Sequence, residues 1–218
     1  MHERPPIPSV LITAGPTHEP IDAVRFLGNR SSGRLGIELA RETARRGLRV
    51  HLLLGPIGAD PDLPGVRIDR FRTAGELRDL LRLHAPSADL IIMSAAVADY
   101  RPKQTMPDAK LKRAPEGLTL ELEPTPDLLA ELASSRRPGQ VLVGFALEPR
   151  ERMLESARAK LERKGVDHLV ANPLETMDSG LIEATLLTRH APSTESTGAP
   201  VPKSEFAAWL LDRVLTDA

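Results

Sequence analysis

Cysteine is absent from the 218 residues. That excludes disulfides, thiolate catalysis and cysteine-ligated metals. Aromatic residues are scarce, with one Trp, one Tyr and four Phe, too few for the stacked platforms of single-strand nucleic-acid binders. Charge of one sign is lacking too. Twenty-nine Lys and Arg face 30 Asp and Glu, a net of −1, so no global field favours nucleic acid or an anionic membrane. The longest apolar run, Leu90 to Ala98, is far too short to span a bilayer. The opening Met1-His2-Glu3-Arg4-Pro5-Pro6 has no apolar signal core. A cytoplasmic protein with neither nucleic acid nor membrane as partner is expected.

Several catalytic signatures are also missing. No Gly-x-Gly-x-x-Gly follows the first apolar run, which argues against a nicotinamide-dependent reductase. No Gly-x-Ser-x-Gly marks an α/β-hydrolase. The segment from Gly28 to Leu35 only approaches a Walker loop, because Arg34 and Leu35 stand where Lys and Ser or Thr would be. The six histidines are scattered without a His-Glu-x-x-His, so no zinc site is expected. No pair of aspartates has the spacing of a two-carboxylate hydrolase.

What is present reads as a single α/β domain over residues 1–218, in which short apolar runs alternate with helical patterns. Strands are expected at Val10–Ile12, Val50–Leu54, Val66–Phe71, Leu90–Met93, Val141–Ala146 and Leu169–Ala171. Helices are expected at 33–46, 74–84, 127–134, 150–164 and 203–215. The uniformly apolar Leu90–Met93 run predicts a central strand. Residues 99–117 form a long proline-containing, basic connection, and connections of that length inside a domain tend to be functional. Leu118–Glu123 alternates strictly and predicts a half-exposed strand in a flap. Ile182–Thr188 predicts an antiparallel edge strand, and the Pro/Ser/Thr/Gly-rich residues 191–200 a mobile loop.

Four features carry chemistry. Asn29-Arg30-Ser31-Ser32-Gly33-Arg34-Leu35-Gly36 leads into the first expected helix. Its hydroxyls, glycines and uncommitted N–H groups suit a phosphate, though a plain serine N-cap would look the same. Thr13-Ala14-Gly15-Pro16-Thr17 leaves the first strand at the sheet edge where open α/β folds bind ligands, and equally suits an ordinary strand exit. Ser94 to Tyr100 leaves the central strand with small residues followed by Asp99, which could bond a sugar hydroxyl or simply start a turn. On the 150–164 helix, Lys164 falls near the centre of the apolar arc of Met153, Leu154, Ala157 and Leu161, with Lys160 at its edge. Such lysines either snorkel or point into a site.

Seven segments, in chain order, resemble the phosphopantothenate–cysteine ligase (phosphopantothenoylcysteine synthetase) family. They are Thr13-Ala-Gly-Pro-Thr-x-Glu-Pro-Ile-Asp-x-Val-Arg-Phe26, Asn29-x-Ser-Ser-Gly-Arg-x-Gly36, Ala95-Ala-Val-Ala-Asp-Tyr-Arg-Pro-Lys103, Lys110-Leu-Lys-Arg113, Pro126-Asp-Leu-Leu-Ala130, Val143-Gly-Phe-Ala146 and Val170-Ala-Asn172. The resemblance implies a Rossmann-like three-layer fold with a mostly parallel central sheet and a small β flap. It implies joining of 4′-phosphopantothenate to L-cysteine through an acyl-nucleotidylate, in coenzyme A biosynthesis. Mg2+ and a nucleoside triphosphate, CTP or ATP, would be required.

By the same resemblance Lys110 would be the catalytic cation of the first half-reaction. Asn29, with Arg25 nearby, would hold the intermediate in the second. Ser31, Ser32, Gly33 and Gly36 would lie along phosphates. Ala95, Asp99, Pro126, Asp127, Leu128, Leu129, Phe145, Lys160, Lys164 and Asn172 would bind the nucleotide. No metal ligand is assigned. A homodimer is implied, as is the option of a separate decarboxylase partner; no flavin is expected, because only about nine residues precede the first strand.

Departures from the family pattern are Gly15-Pro16-Thr17 in place of Gly-Gly-Thr, and Thr125 in place of Asn before Pro126-Asp127. Residues 145–149 and 171–175 look closer to ATP-using members. Residues 110–113 and 126–132 look closer to CTP-using ones, so the choice stays open with a lean to CTP. The alternative to an active ligase is an inactive nucleotide-binding paralogue acting as a regulatory or accessory subunit.

Overall fold

The computed structural model describes residues 8–106, 108–113, 115–189, 191 and 193–216. Expectations for residues 1–7, 107, 114 and 192 therefore lie outside the described chain. In chain order the strands are β1 (Ser9–Ala14), β2 (His18–Pro20), β3 (Phe26–Gly28), β4 (Arg49–Leu54), β5 (Arg67–Arg70), β6 (Leu90–Met93), β7 (Tyr100–Pro102), β8 (Leu122–Pro124), β9 (Val141–Glu148), β10 (His168–Pro173), β11 (Leu181–Ile182), β12 (Thr185–Thr188), β13 (Thr194–Ser196) and β14 (Val201–Pro202). The helices are α1 (Arg34–Arg45), α2 (Ala74–His84), α3 (Leu128–Ser135), α4 (Met153–Lys164) and α5 (Lys203–Val214).

An eight-stranded sheet in the order β13-β12-β10-β9-β6-β1-β4-β5 forms the middle layer. Its strands from β10 to β5 are parallel, and β12 and β13 add antiparallel. Each central strand is apolar on both faces because helices cover both. In β1, Val10, Ile12 and Ala14 pack with Leu39 and Ala40 of α1 and Phe206, Leu210 and Leu211 of α5. Leu11 points the other way, into a core with Leu77 and Leu81 of α2, Leu128 of α3 and Ala157 and Leu161 of α4. This is the three-layer, Rossmann-like arrangement the alternating pattern predicts.

The end of the chain corrects the sequence reading. Ile182–Thr188 is two strands, β11 and β12, broken at Glu183-Ala184, and β12 is not the edge. The edge strand is β13, which lies inside the segment expected to be a mobile loop. Its side chains are all exposed, so no apolar alternation betrays it. The backbone ladder to β12 and the Arg213–Glu195 ion pair to α5 (2.7 Å) hold it.

The flap expected at 118–123 also contracts. Only Leu122–Pro124 pairs, antiparallel with Tyr100–Pro102, while residues 118–121 stay exposed. A second two-stranded ribbon, β2–β3, stands beside it. At 150–164 the chain begins with a 3-10 turn at Arg150–Arg152 before α4.

Candidate active site

The strand order reverses at β1. The chain runs from β1 outward to β4 and β5, then returns to β6 on the other side of β1. The carboxyl ends of β1 and β6 thus flank a topological switch point, where open α/β sheets leave a crevice for ligands. The two exits are zipped together. Thr17 N–H donates to Ala96 O (3.2 Å) and Ala96 N–H to Gly15 O (2.9 Å). The Thr13 hydroxyl accepts from Ala95 N–H (3.1 Å), the Thr17 hydroxyl accepts from Ala98 N–H (2.9 Å), and the Ser94 hydroxyl donates to Thr13 O (2.6 Å). Pro16, the departure from the family turn, loses nothing here, because the ladder uses the N–H groups of Thr17 and Ala96.

Over this crevice sits the N-terminus of α1. Gly33 is its N-cap residue, left-handed at φ 70°, and no side chain caps the helix. The plain serine cap is therefore ruled out: Ser31 Oγ accepts only from Gly33 N–H, at 3.3 Å. Gly36, one turn into the helix, is buried and lies outside the cavity lining. A Cβ there would come within 2.4 Å of Ala14 Cβ and 2.7 Å of Ser94 Oγ. Its lack of a side chain permits this close helix–strand approach.

The resulting cavity has a volume of about 660 Å³. Its walls bring together Asn29, Ser31, Ser32, Gly33, Ala95, Asp99, Phe145, Lys160 and Asn172, all singled out in the sequence. Asn29 Nδ2 donates to Val97 O (2.9 Å) and Asn172 Nδ2 to Thr176 Oγ1 (2.7 Å). A smaller adjoining cavity of about 290 Å³ adds Pro126, Asp127, Leu128, Leu129 and Lys164. Asp127 caps α3 by accepting from Ala130 N–H (3.1 Å) and also pairs with Lys164. Lys160 Nζ donates to Phe145 O (2.8 Å). Burial lowers the pKa of Lys160, against the opposing charges of Glu148 and Asp99; burial likewise lowers that of Lys164.

The larger cavity also holds residues the sequence reading missed. Arg30, Arg34, Asp178 and Lys203 line it, so four cations, Arg30, Arg34, Lys160 and Lys203, meet two carboxylates, Asp99 and Asp178. Arg30 and Asp178 are bridged at 2.6 Å. Asp178 has a left-handed φ of 58°, alone among described non-glycine residues. Lys203 Nζ donates to Ser179 O (2.7 Å), and burial, then Arg34, lowers its pKa. Arg30 and Arg34 stood within the serine–glycine motif and could have been found. Lys203 and Asp178 arrive from distant segments without a local signal.

Arg25 and Lys110 are placed differently. Neither lines the two cavities. Both belong to a junction around the buried carboxylate of Asp22, which accepts from the N–H groups of Val24 (2.8 Å), Arg25 (2.7 Å) and Leu111 (3.1 Å) and pairs with Arg25. Burial opposes its ionisation, but those three backbone donors and Arg25 outweigh it and lower its pKa. Arg25 Nη2 also donates to Leu111 O (3.2 Å). The basic loop is thus fastened beside Arg25, with Lys110 exposed on it.

A further cavity of about 560 Å³, between α2 and α3, opens at the amino ends of β6 and β9. That is the wrong sheet edge for an α/β ligand site, and of the residues singled out in the sequence only Leu128 lines it. Among the described residues no helix is long and apolar enough to cross a membrane.

A Rossmann-like sheet with a cationic cavity at its switch point is the arrangement in which open α/β proteins hold phosphate-bearing ligands. Residues 8–217 match the model of the DNA/pantothenate metabolism flavoprotein C-terminal domain, and the chain belongs to that family. It is 46% identical over 219 residues to the coenzyme A biosynthesis bifunctional protein CoaBC of Mycobacterium bovis, covering 95% of this chain and 52% of that protein. The chain thus spans about half the length of the curated relatives it matches. A crystal structure of the C-terminal domain of a CoaBC protein superposes with TM-score 0.81 at 31% identity, covering 97% of each chain. A Cab2 mutant in complex with phosphopantothenate-cysteine shares the fold, at TM-score 0.78 and 19% identity over 96% of this chain and 87% of that one.

Proposed function

We propose that the chain is a phosphopantothenate–cysteine ligase acting in coenzyme A biosynthesis. The observation that carries this reading is the cavity itself, in a chain of this family. It has an uncapped helix N-terminus beside Ser31 and Ser32, four cations, and Asp99 in its wall. The match to the CoaBC C-terminal domain supports the same substrates.

In the proposed reaction the pantothenate carboxylate oxygen bonds to the α-phosphorus of the nucleotide. The bond to the bridging oxygen breaks and pyrophosphate leaves. The cysteine ammonium gives a proton to water, the free amine attacks the acyl carbon, the acyl–oxygen bond to phosphate breaks to expel the nucleoside monophosphate, and the nitrogen's second proton passes to water or the leaving phosphate. Both steps need charge on phosphate and acyl oxygens offset by fixed donors and cations. Lys110 would serve the first step and Asn29 the second, with Arg25 assisting. The α1 N-terminus, Arg34 and Lys203 would hold phosphates, and Lys160 and Lys164 would lie along the nucleotide with Asp99, Phe145 and the 126–129 segment. The oxygens of Ser31, Ser32 and Asp178 suit a Mg2+ ion that arrives on the triphosphate, where it would offset phosphate charge. Because Lys110 is exposed outside the cavity, its loop must approach bound substrate.

CTP is the favoured nucleotide on the residues at 110–113 and 126–132. Homodimerisation is supported by apolar side chains left exposed on the two ribbons, including Phe26, Tyr100 and Leu122. A separate decarboxylase remains a candidate partner. The test is pyrophosphate release with Mg2+, 4′-phosphopantothenate and cysteine, run with CTP and ATP in parallel. Release that depends on phosphopantothenate is expected, faster with CTP. Nucleotide binding without release from folded protein would favour the inactive paralogue instead.

A further inference from the structure

Two of the six histidines, far apart in sequence, meet in space. His51 lies on β4, Asp69 on β5 and His84 ends α2. Asp69 Oδ2 is 2.9 Å from His51 Nε2 and 3.2 Å from His84 Nε2. The two imidazoles meet edge-on, with ring centroids 4.3 Å apart at 67°. One ligand atom from each of the three side chains lies within 4.8 Å of the others, the one such grouping among the described residues.

We propose that His51, Asp69 and His84 form a binding site for a divalent transition-metal ion, separate from the nucleotide cavity. None of the three lines that cavity or its neighbour. Two imidazole nitrogens and one carboxylate oxygen are the donor set of Zn2+ or Co2+ rather than of Mg2+, which takes oxygens. Ligand atoms around a four-coordinate Zn2+ stand roughly 3.3 Å apart, given bonds of about 2.0–2.1 Å, so small rotations of these side chains suffice. The side chains are 16%, 31% and 12% exposed, which limits their motion while leaving the cluster accessible to solvent.

The sheet topology shows what the ion would do. β5 is the terminal strand, held through β4 alone. A metal would tie it to β4 and to the end of α2. Arg67, whose Nη2 lies 3.0 Å from the same carboxylate oxygen, competes with a cation there and is itself well exposed.

The test uses untagged protein titrated with Co2+ and with Zn2+. Saturable one-to-one binding is expected, with cobalt ligand-field absorption of low coordination number. Zn2+ at a hundredfold excess over its Kd should raise the melting temperature by about 5–10 °C. His84→Gln should weaken binding by at least the ~10–100-fold that even outer partners of ligands are worth, while its metal-free melt stays near that of the parent. Arg67→Gln should tighten binding by about fivefold, the gain from removing one exposed competing charge; a merely structural cluster predicts no such change. If His84→Gln fails to fold, Asp69→Asn is read in its place. Absence of saturable binding, or binding that persists in the substituted protein, overturns the proposal.

Discussion

Gly36→Ala probes the seat of α1 on the sheet. The added Cβ would stand 2.4 Å from Ala14 Cβ, 2.7 Å from Ser94 Oγ and 3.1 Å from Thr13 O. Carbon atoms pack best at about 3.5–4.0 Å, so the helix must retreat by about 1 Å or more. Ala14 is fully buried on β1, and Ser94 is held by its bond to Thr13 O, so neither can yield cheaply. Overpacking of this kind costs about 1–3 kcal/mol, while Ala over Gly in a helix returns at most about 1 kcal/mol. The difference spans roughly 0–2 kcal/mol, and the 2.4 Å approach to a buried Cβ sets the expectation at its upper end, a measurable loss in urea unfolding. The same retreat carries Gly33 and the serine loop away from the ends of β1 and β6. Nucleotide affinity, measured by calorimetry, should fall more than the stability loss would explain. A Gly36→Ala protein as stable as the parent with unchanged affinity would refute the close-packing account.

Lys110→Ala should abolish pyrophosphate release with the melting temperature unchanged, since the side chain is exposed. Asn29→Ala should still release pyrophosphate but stall amide formation, seen as acyl-nucleotidylate by mass spectrometry; wild-type turnover in both would end those assignments. Lys160→Met keeps the buried stem and removes the charge facing Asp99, so nucleotide Kd should rise by about tenfold or more while the fold persists, as the worth of a charged hydrogen bond implies; equal affinity would place the lysine outside the site. Glu42 has its pKa lowered to about 2, first by its hydrogen bond to Arg45, then, against opposing burial, by Arg46. A folded pKa below the unfolded one means stability that is present above about pH 4.5 and lost as pH falls toward about 2. Glu42→Gln should flatten that limb of an acid-unfolding curve and cost about 1 kcal/mol at pH 7, and an unchanged acid limb would count against the pairing.

Much of the fold was legible because it rests on local periodicity. The runs at β1, β4, β6, β9 and β10 and the apolar arcs of α1, α2 and α5 are dictated by burial on fixed faces, and burial leaves its period in the sequence. What was illegible has no such period. β13 is wholly exposed and exists through its backbone ladder to β12, so its Ser, Thr and Glu read as loop. β2, β3 and β7 are three residues each, too short to show alternation.

The site divides along the same line. Ser31, Ser32 and Gly33 were legible because a helix start announces itself within a few residues, and Asp99 because it closes an apolar strand. Lys203 was not, although it lines the same cavity, because its position is fixed by where α5 packs against α1, not by its neighbours in sequence. His51, Asp69 and His84 are the stronger case. A ligand pattern on one helix repeats at fixed spacing, but this one is assembled by strand register and a helix end. The β4–β5 pairing sets Leu53 opposite Asp69 and His51 opposite Arg67, so His51 and Asp69 share one face of adjacent strands only once that register exists. Gly36 shows the converse. It belongs to a motif that reads as phosphate binding, yet its contacts are with Ala14 and Ser94. The motif shows where glycine is needed, and only packing shows that at Gly36 the need is the close approach of α1 to β1 and Ser94.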